Sequence, residues 1–257
     1  PCEFQPWLQR DDLSAGGLEL FLQLPRAGRG VHQARAGLRD AYVWWTVTRG
    51  MPPMGRNEMV VANNFYNRFY AFATAFIFTF DDDQRARGVD LIVSRSRIRI
   101  PARAVDPTAK NFCWLDMQMA LFEAGDRGAE WAVLTDAEGF LTEATGANIF
   151  AVINGVIVTP DTGCLEGITR KSVFDLCGEL GLQAKATRIH TDELRAAQEV
   201  FMTTTAGSVM PVRSVDGALV GDREGPGEIS IRLHNLYWEK RWSGWHATPV
   251  RYELAAH

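Results

Sequence analysis

From Glu130 to Gly207 the chain is written as short apolar and β-branched runs cut by glycine, and no other feature constrains its fold as much. The runs EWAVLTDAEGFLTEA, NIFAVINGVIVTP and EVFMTTTAG have strand composition, and the glycines and the Asn-Gly pair between them are turn formers. Two helical stretches are interleaved. TRKSVFDLCGELG is expected to be capped by Thr169 and closed by Gly181, and TDELRAAQEV to start from Thr191 as N-cap. Strands joined by tight turns, with helices set apart from them, predict an α+β fold rather than a doubly wound sheet.

Upstream, GVDLIVSRSRIRI alternates as a strand should, and WLDMQMALFEAGDRG carries apolar residues at helical spacing with a glycine near its end. AYVWWTVTRG reads as a strand, MPPMGRN as a loop and FYAFATAFIFTF as one strand or a pair. The acidic DDDQ that follows is the best place for a linker. The resulting division is a small N-terminal domain over 1–76, a linker over 77–84 and a large domain over 85–257.

A hydrophobic fraction of 46% and a charged fraction of 23% exclude disorder, collagen and coiled coil. The net charge of -4 offers no electrostatic footprint for nucleic acid or an anionic membrane. The apolar run from Tyr70 to Phe80 is too short for a membrane span. Four scattered cysteines and five unpaired histidines give neither a disulfide framework nor a metal site, and a reducing cytoplasm is the expected compartment. The expected partner is a small molecule or a second copy of the chain.

Only four of the 27 basic residues are lysines, and three of them (Lys171, Lys185, Lys240) lie among polar neighbours. Lys110 is different, because VDPTAKNFCWLD sets it before an apolar stretch. Either its stem lies on apolar surface with the ammonium in water, or it is desolvated, with a lowered pKa suited to Schiff-base chemistry. Pyridoxal phosphate would need two further things: a carboxylate to keep its ring nitrogen protonated, and a nest of amides and hydroxyls for its phosphate. Glu143 in LTEATGAN, the helix start Gly167-Ile168-Thr169 and the run TTTAG at Thr203–Gly207 are candidates for these parts.

The pieces occur in a family's order. E-x4-N-x-F from Glu143, the TP…L-x-GITR segment and EVFMTTTAG…P together make residues 83 to 252 resemble the fold-type IV, or class IV, pyridoxal-phosphate aminotransferases, the group of branched-chain and D-amino acid aminotransferases. DPTAKN…W…FEAGDRGA, GITRKSV and GPGEI…YWE resemble most its (R)-selective amine transaminases. The resemblance implies a two-domain α+β enzyme with pyridoxal 5′-phosphate as cofactor, a primary amine and a keto acid as substrates, and a homodimer with the active site near its interface. It also implies roles. Lys110 is the cofactor lysine, buried against it, and Glu143 is the partner of the ring nitrogen. Ile168, Thr169, Thr204 and Thr205 bind phosphate, Leu165 lies under the ring, and Trp114 and Ala206 belong to the substrate pocket.

The N-terminal part departs from the pattern and reads as a shortened small domain. WLQR places Arg10 where an H-x-x-R motif supplies a phosphate ligand, with Trp7 in place of histidine. Tyr42 matches a pocket aromatic, Trp44 stands where the amine transaminases have a carboxylate, and Arg56 is near a mobile, carboxylate-pairing arginine. Three alternatives stay open: a branched-chain or D-amino acid aminotransferase, an aminodeoxychorismate-lyase-like enzyme, and an impaired homologue that keeps only the fold.

Overall fold

The structure, a computed structural model, describes residues 8–9, 41–50, 65–76 and 78–248. Arg10 and Arg56 lie outside these residues. The chain divides into two compact units, Pro1–Ile77 with His246–His257, and Phe78–Trp245.

In the first unit, β1 (Leu8–Gln9), β2 (Ala41–Thr48) and β3 (Arg68–Ala75) form an antiparallel sheet in the order β1-β3-β2. Aromatic and β-branched residues favour this pleated surface through cross-strand pairs. Trp44 lies opposite Phe72 and stacks on it at 5.3 Å between ring centroids.

The second unit opens with α1 (Asp82–Arg87), built on the acidic run. Asp81 caps it by accepting from the Gln84 amide, and Gln84 Oε1 in turn accepts from the Asp81 amide. Then come β4 (Val89–Val93), α2 (Leu115–Asp126), β5 (Trp131–Thr135), β6 (Leu141–Ala144), β7 (Asn148–Ile153) and β8 (Val156–Thr159). The chain continues through α3 (Ile168–Glu179), β9 (Ala184–Ala186), α4 (Thr191–Arg195), β10 (Glu199–Thr204), β11 (Ser208–Val215), β12 (Ala218–Leu219) and α5 (Glu228–Trp242). The sheet order is β6-β5-β4-β11-β10-β7-β8-β9, with β12 beside β11. The β4 pairings with β5 and β11, and that of β8 with β9, are parallel.

Alternate residues of one strand enter different cores. Leu91, Val133, Ile149, Val200 and Met202 join one cluster. Phe150, Val152, Phe201 and Val209 meet Val173 and Leu176 of α3 and Leu233 of α5 on the other face, where Ile92, Ala132 and Leu134 also receive Met117, Ala120 and Ala124 of α2. A sheet covered on both faces needs continuous apolar runs, which is why these strands look less alternating than an exposed sheet would.

Three element boundaries differ from expectation. Gly167, not Thr169, is the N-cap of α3, and no side chain caps it; Gly181, past the helix end, takes a left-handed φ of 67°. His190, not Thr191, caps α4, which stops at Arg195 because Glu199–Thr204 is taken by pairing with β7 and β11. The strand expected over Gly88–Ile100 ends at Val93, because Glu123 of α2 accepts the Arg95 and Ser96 amides and the Ser94 and Ser96 hydroxyls. That capture turns the chain out of the sheet, leaving Ile98 exposed and Arg99 buried.

Candidate active site

The end of β10, the start of α3, β6 and the loop before α2 enclose a cleft of about 300 Å³. Glu143, the third residue of β6, has a side chain only 6% exposed. Its Oε1 accepts from Arg99 Nε at 2.9 Å and its Oε2 from the Leu165 amide at 3.1 Å. Burial pushes its carboxyl above the usual carboxylate range, against the opposing hydrogen bonds from Arg99 and Leu165 and the positive charges of Arg99 and Lys110. Arg99 also donates from Nη1 to Asp116 Oδ2 at 2.7 Å. One buried guanidinium thus faces two carboxylates.

Lys110 lines the same cleft, on a loop folded by local bonds. The Thr108 amide and hydroxyl donate to Asp106 Oδ1, and Asn111 Nδ2 donates to the Ala109 carbonyl while its Oδ1 accepts from the Cys113 amide. The lysine is exposed rather than buried as expected. Its Nζ lies 5.6 Å from the centre of the Trp114 ring, so the ammonium keeps its hydration and a cation–π contact instead of meeting the cost of desolvation.

The opposite chemistry, anion binding, gathers at α3. Gly167, Ile168 and Thr169 line the cleft, and an uncapped first turn presents its amides and positive dipole end to an anion. Thr203, Thr204 and Thr205 line the cleft beside it. Thr204 Oγ1 is 3.3 Å from Thr79 Oγ1, Thr205 is exposed, and the Thr203 hydroxyl is buried with no hydrogen-bond partner among the described residues. Asn148 fixes the loop before the helix, donating from Nδ2 to the Leu165 carbonyl at 2.7 Å.

The structure therefore brings Lys110, Glu143, Leu165, Ile168, Thr169, Thr204, Thr205 and Trp114 to one cleft. Ala206 is not among its lining residues, and its carbonyl accepts from the Thr79 amide. Tyr42 and Trp44 belong to the other compact unit. Sequence reasoning missed Arg99 and Asp116, and it reached Thr203 only as part of the TTTAG run. The signal for Arg99 was present in RIRI, an arginine alternating with isoleucine, but the polarity pattern pointed the wrong residue inward.

Residues 30–215 match the sequence model of amino-transferase class IV. The chain belongs to this family. A branched-chain-amino-acid aminotransferase of Pseudomonas aeruginosa is 40% identical over 131 residues, which are 50% of this chain and 42% of that relative. A putative branched-chain-amino-acid aminotransferase of Methanocaldococcus jannaschii is 32% identical over 206 residues, 79% of this chain and 68% of the relative. The match thus spans less than half of the Pseudomonas protein. Among solved structures, the branched-chain amino acid aminotransferase of Escherichia coli aligns with a TM-score of 0.77 and 26% identity, covering 89% of this chain and 73% of that one. The pyridoxal-phosphate form of the Thermobaculum terrenum branched-chain amino acid aminotransferase aligns with a TM-score of 0.70 and 25% identity, covering 79% of this chain and 64% of that one.

The class IV cofactor, pyridoxal 5′-phosphate, suits the donors present. The amine of Lys110 and the carboxylate of Glu143 share the cleft, and because Arg99 is shared between Glu143 and Asp116, which lies outside the cleft lining, there is room for one more positive charge beside Glu143. The uncapped α3 turn and the unpartnered Thr203 hydroxyl match an anionic group. The described residues hold no cluster of three or more potential metal ligands, and none of their helices is long and apolar enough to cross a membrane.

Proposed function

We propose that the chain is a pyridoxal-phosphate aminotransferase exchanging an amino group between branched-chain α-amino acids and 2-oxo acids. The carrying observation is the buried Glu143–Arg99 pair in the same cleft as Lys110 and the uncapped start of α3. The relatives' names support the branched-chain reading over an (R)-amine one. The bound cofactor supplies an electron sink that stabilises negative charge on the carbon bearing the amino group.

The protein's residues do the rest. Glu143 holds a proton on the ring nitrogen, so the ring can accept charge, and Arg99 and the Leu165 amide hold the Glu143 carboxylate in place. The amides of Ile168 and Thr169 and the hydroxyls of Thr204 and Thr205 bind the phosphate, with Arg10 as a further ligand, and this anchoring fixes the reacting carbon. Lys110 Nζ takes a proton from the substrate carbon and returns it on the opposite leg of the exchange. Leu165 supplies an apolar surface for the ring, and Trp114, Tyr42, Trp44, Arg56 and Ala206 contribute to substrate selection. Phe112, Trp114, Leu115 and Ile168, all exposed apolar residues, support a homodimer that covers them. The free Cys113, Cys164 and Cys177 support a reducing, cytoplasmic setting.

The test is the absorption spectrum of protein loaded with pyridoxal phosphate, followed after adding L-leucine and, separately, (R)-1-phenylethylamine. Conversion to the pyridoxamine form by L-leucine is expected. Conversion by the (R)-amine alone moves the substrate class to the one that DPTAKN…W…FEAGDRGA resembles. Pyruvate released without any amino acceptor identifies a lyase, and cofactor uptake without conversion by any amine identifies an impaired homologue.

A further inference from the structure

Asp116 is not among the residues lining the cleft, yet one guanidinium joins it to Glu143. The side chains of Arg99, Asp116 and Glu143 are 5%, 8% and 6% exposed. Asp116 Oδ2 accepts from Arg99 Nη1 at 2.7 Å and from the Ile100 amide at 2.8 Å, while its Oδ1 is buried with no partner among the described residues. A buried carboxylate with an unpartnered oxygen is a poor stabilising device. Arg99 and Glu143 alone would make a neutral pair, so stability does not account for the third charge.

The geometry gives it a role. A guanidinium is a rigid planar fork; tying Nη1 to an aspartate that is itself held by the Ile100 amide fixes the direction in which Nε meets Glu143. Sharing the positive charge between two carboxylates also leaves Glu143 more electron-rich than a one-to-one pair would. We infer that Asp116 is a positioning residue which, through Arg99, orients Glu143 and keeps its carboxylate basic enough to hold a proton on the cofactor ring. This rests on the reading of Glu143 as the partner of the ring nitrogen. Arg99, Lys110 and Cys164 are the other groups that act on Glu143 or feel its charge. The first two oppose basicity, and burial keeps the Cys164 thiol neutral by pushing it up to about 11.

The test is Asp116→Asn, which keeps an acceptor for Arg99 and Ile100 but removes the charge. Glutamate carboxyls are labelled with carbon-13, the Glu143 signal is assigned by its loss in Glu143→Gln, and the protein is titrated with and without pyridoxal phosphate. In Asp116→Asn the Glu143 midpoint moves to lower pH, and the pH at which the bound cofactor's spectrum changes moves the same way. An unmoved Glu143 midpoint in the folded variant overturns the inference. If Asp116→Asn does not fold, Asp116→Ser, which also keeps an acceptor and removes the charge, decides by the same readout, and an unmoved Glu143 midpoint in it overturns the idea. A borohydride-reducible cofactor adduct on Lys110 alongside an unmoved midpoint sinks the role of Asp116 and leaves the proposed function intact. A missing adduct sinks the function, while the titration without cofactor still decides the charge coupling.

Discussion

Replacing Gly167 by alanine tests how the loop, the helix start and Glu143 are built as one unit. Gly167 has φ -57° and ψ 145°, a conformation open to any residue, so the substitution introduces no backbone strain. What it lacks is space. A Cβ there would lie 2.4 Å from Asn148 Oδ1, far inside van der Waals contact. Asn148 is 6% exposed, its backbone lies opposite Thr203 in the sheet, and its Nδ2 holds the Leu165 carbonyl at 2.7 Å. The amide must rotate and lose that bond, or residues 165–168 must move outward and take the Leu165 amide from Glu143. Stranding one buried polar group costs about 1–3 kcal/mol, and alanine is a poorer N-cap than glycine by about 0.5 kcal/mol. A loss of about 2–3 kcal/mol is expected in urea unfolding at unchanged slope, with pyridoxal phosphate affinity down about five- to tenfold if half of that strain falls on the bound state. Gly178→Ala is the control, since it sits in α3 with nothing within 4 Å of the added carbon and should be neutral or stabilise by up to about 1 kcal/mol. Equal unfolding midpoints and cofactor affinities for Gly167→Ala and the unmutated protein would refute the reasoning.

Lys110→Ala leaves no cofactor adduct after borohydride treatment, while thermal stability changes little because the side chain is exposed; mass spectrometry of the reduced protein reads the first and calorimetry the second. Arg99→Met strands two buried carboxylates and costs about 3–5 kcal/mol at neutral pH, measured by urea unfolding. Because the folded-state pKa of Glu143 is raised, its charged form opposes folding: that penalty is absent below about pH 4.5, the ordinary glutamate value, and grows as the pH rises through the folded value. The Arg99→Met deficit should therefore shrink on acidification, and a deficit independent of pH would contradict the assignment. Glu123 shows the reverse sign. Burial works against its ionisation, but hydrogen bonds from Ser96, Arg95 and Ser94 hold it down at about 2, so its contribution is present above about pH 4.5 and lost as the pH falls toward 2. Glu123→Gln should cost about 2 kcal/mol at pH 7, with the difference from the unmutated protein narrowing on acidification in the same assay.

The segments that line the cleft were readable because each sits in a local pattern. Strand composition, glycine punctuation and the start of a helix are properties of a few neighbouring residues, and Lys110, Glu143 and the GITR segment stand within such patterns. The misplacements came where a distant partner decided a local question. The strand over Gly88–Ile100 stops at Val93 because Glu123, some 28 residues on, claims the Arg95 amide. The helix over Thr191–Val200 is cut short because β7 and β11 claim Glu199–Thr204.

By itself the sequence determined the α+β class, the family and the segments that meet in the cleft, since these follow from composition, motif order and short spacings. Only the tertiary structure decided that Arg99 turns inward, that it is shared by Asp116 and Glu143 from positions 17 and 44 residues away, and that the Thr203 hydroxyl, among the described residues, has no partner at the cleft. Charge pairing across such separations follows from the paths of the strands and loops that carry the groups, and no local pattern of residues encodes it.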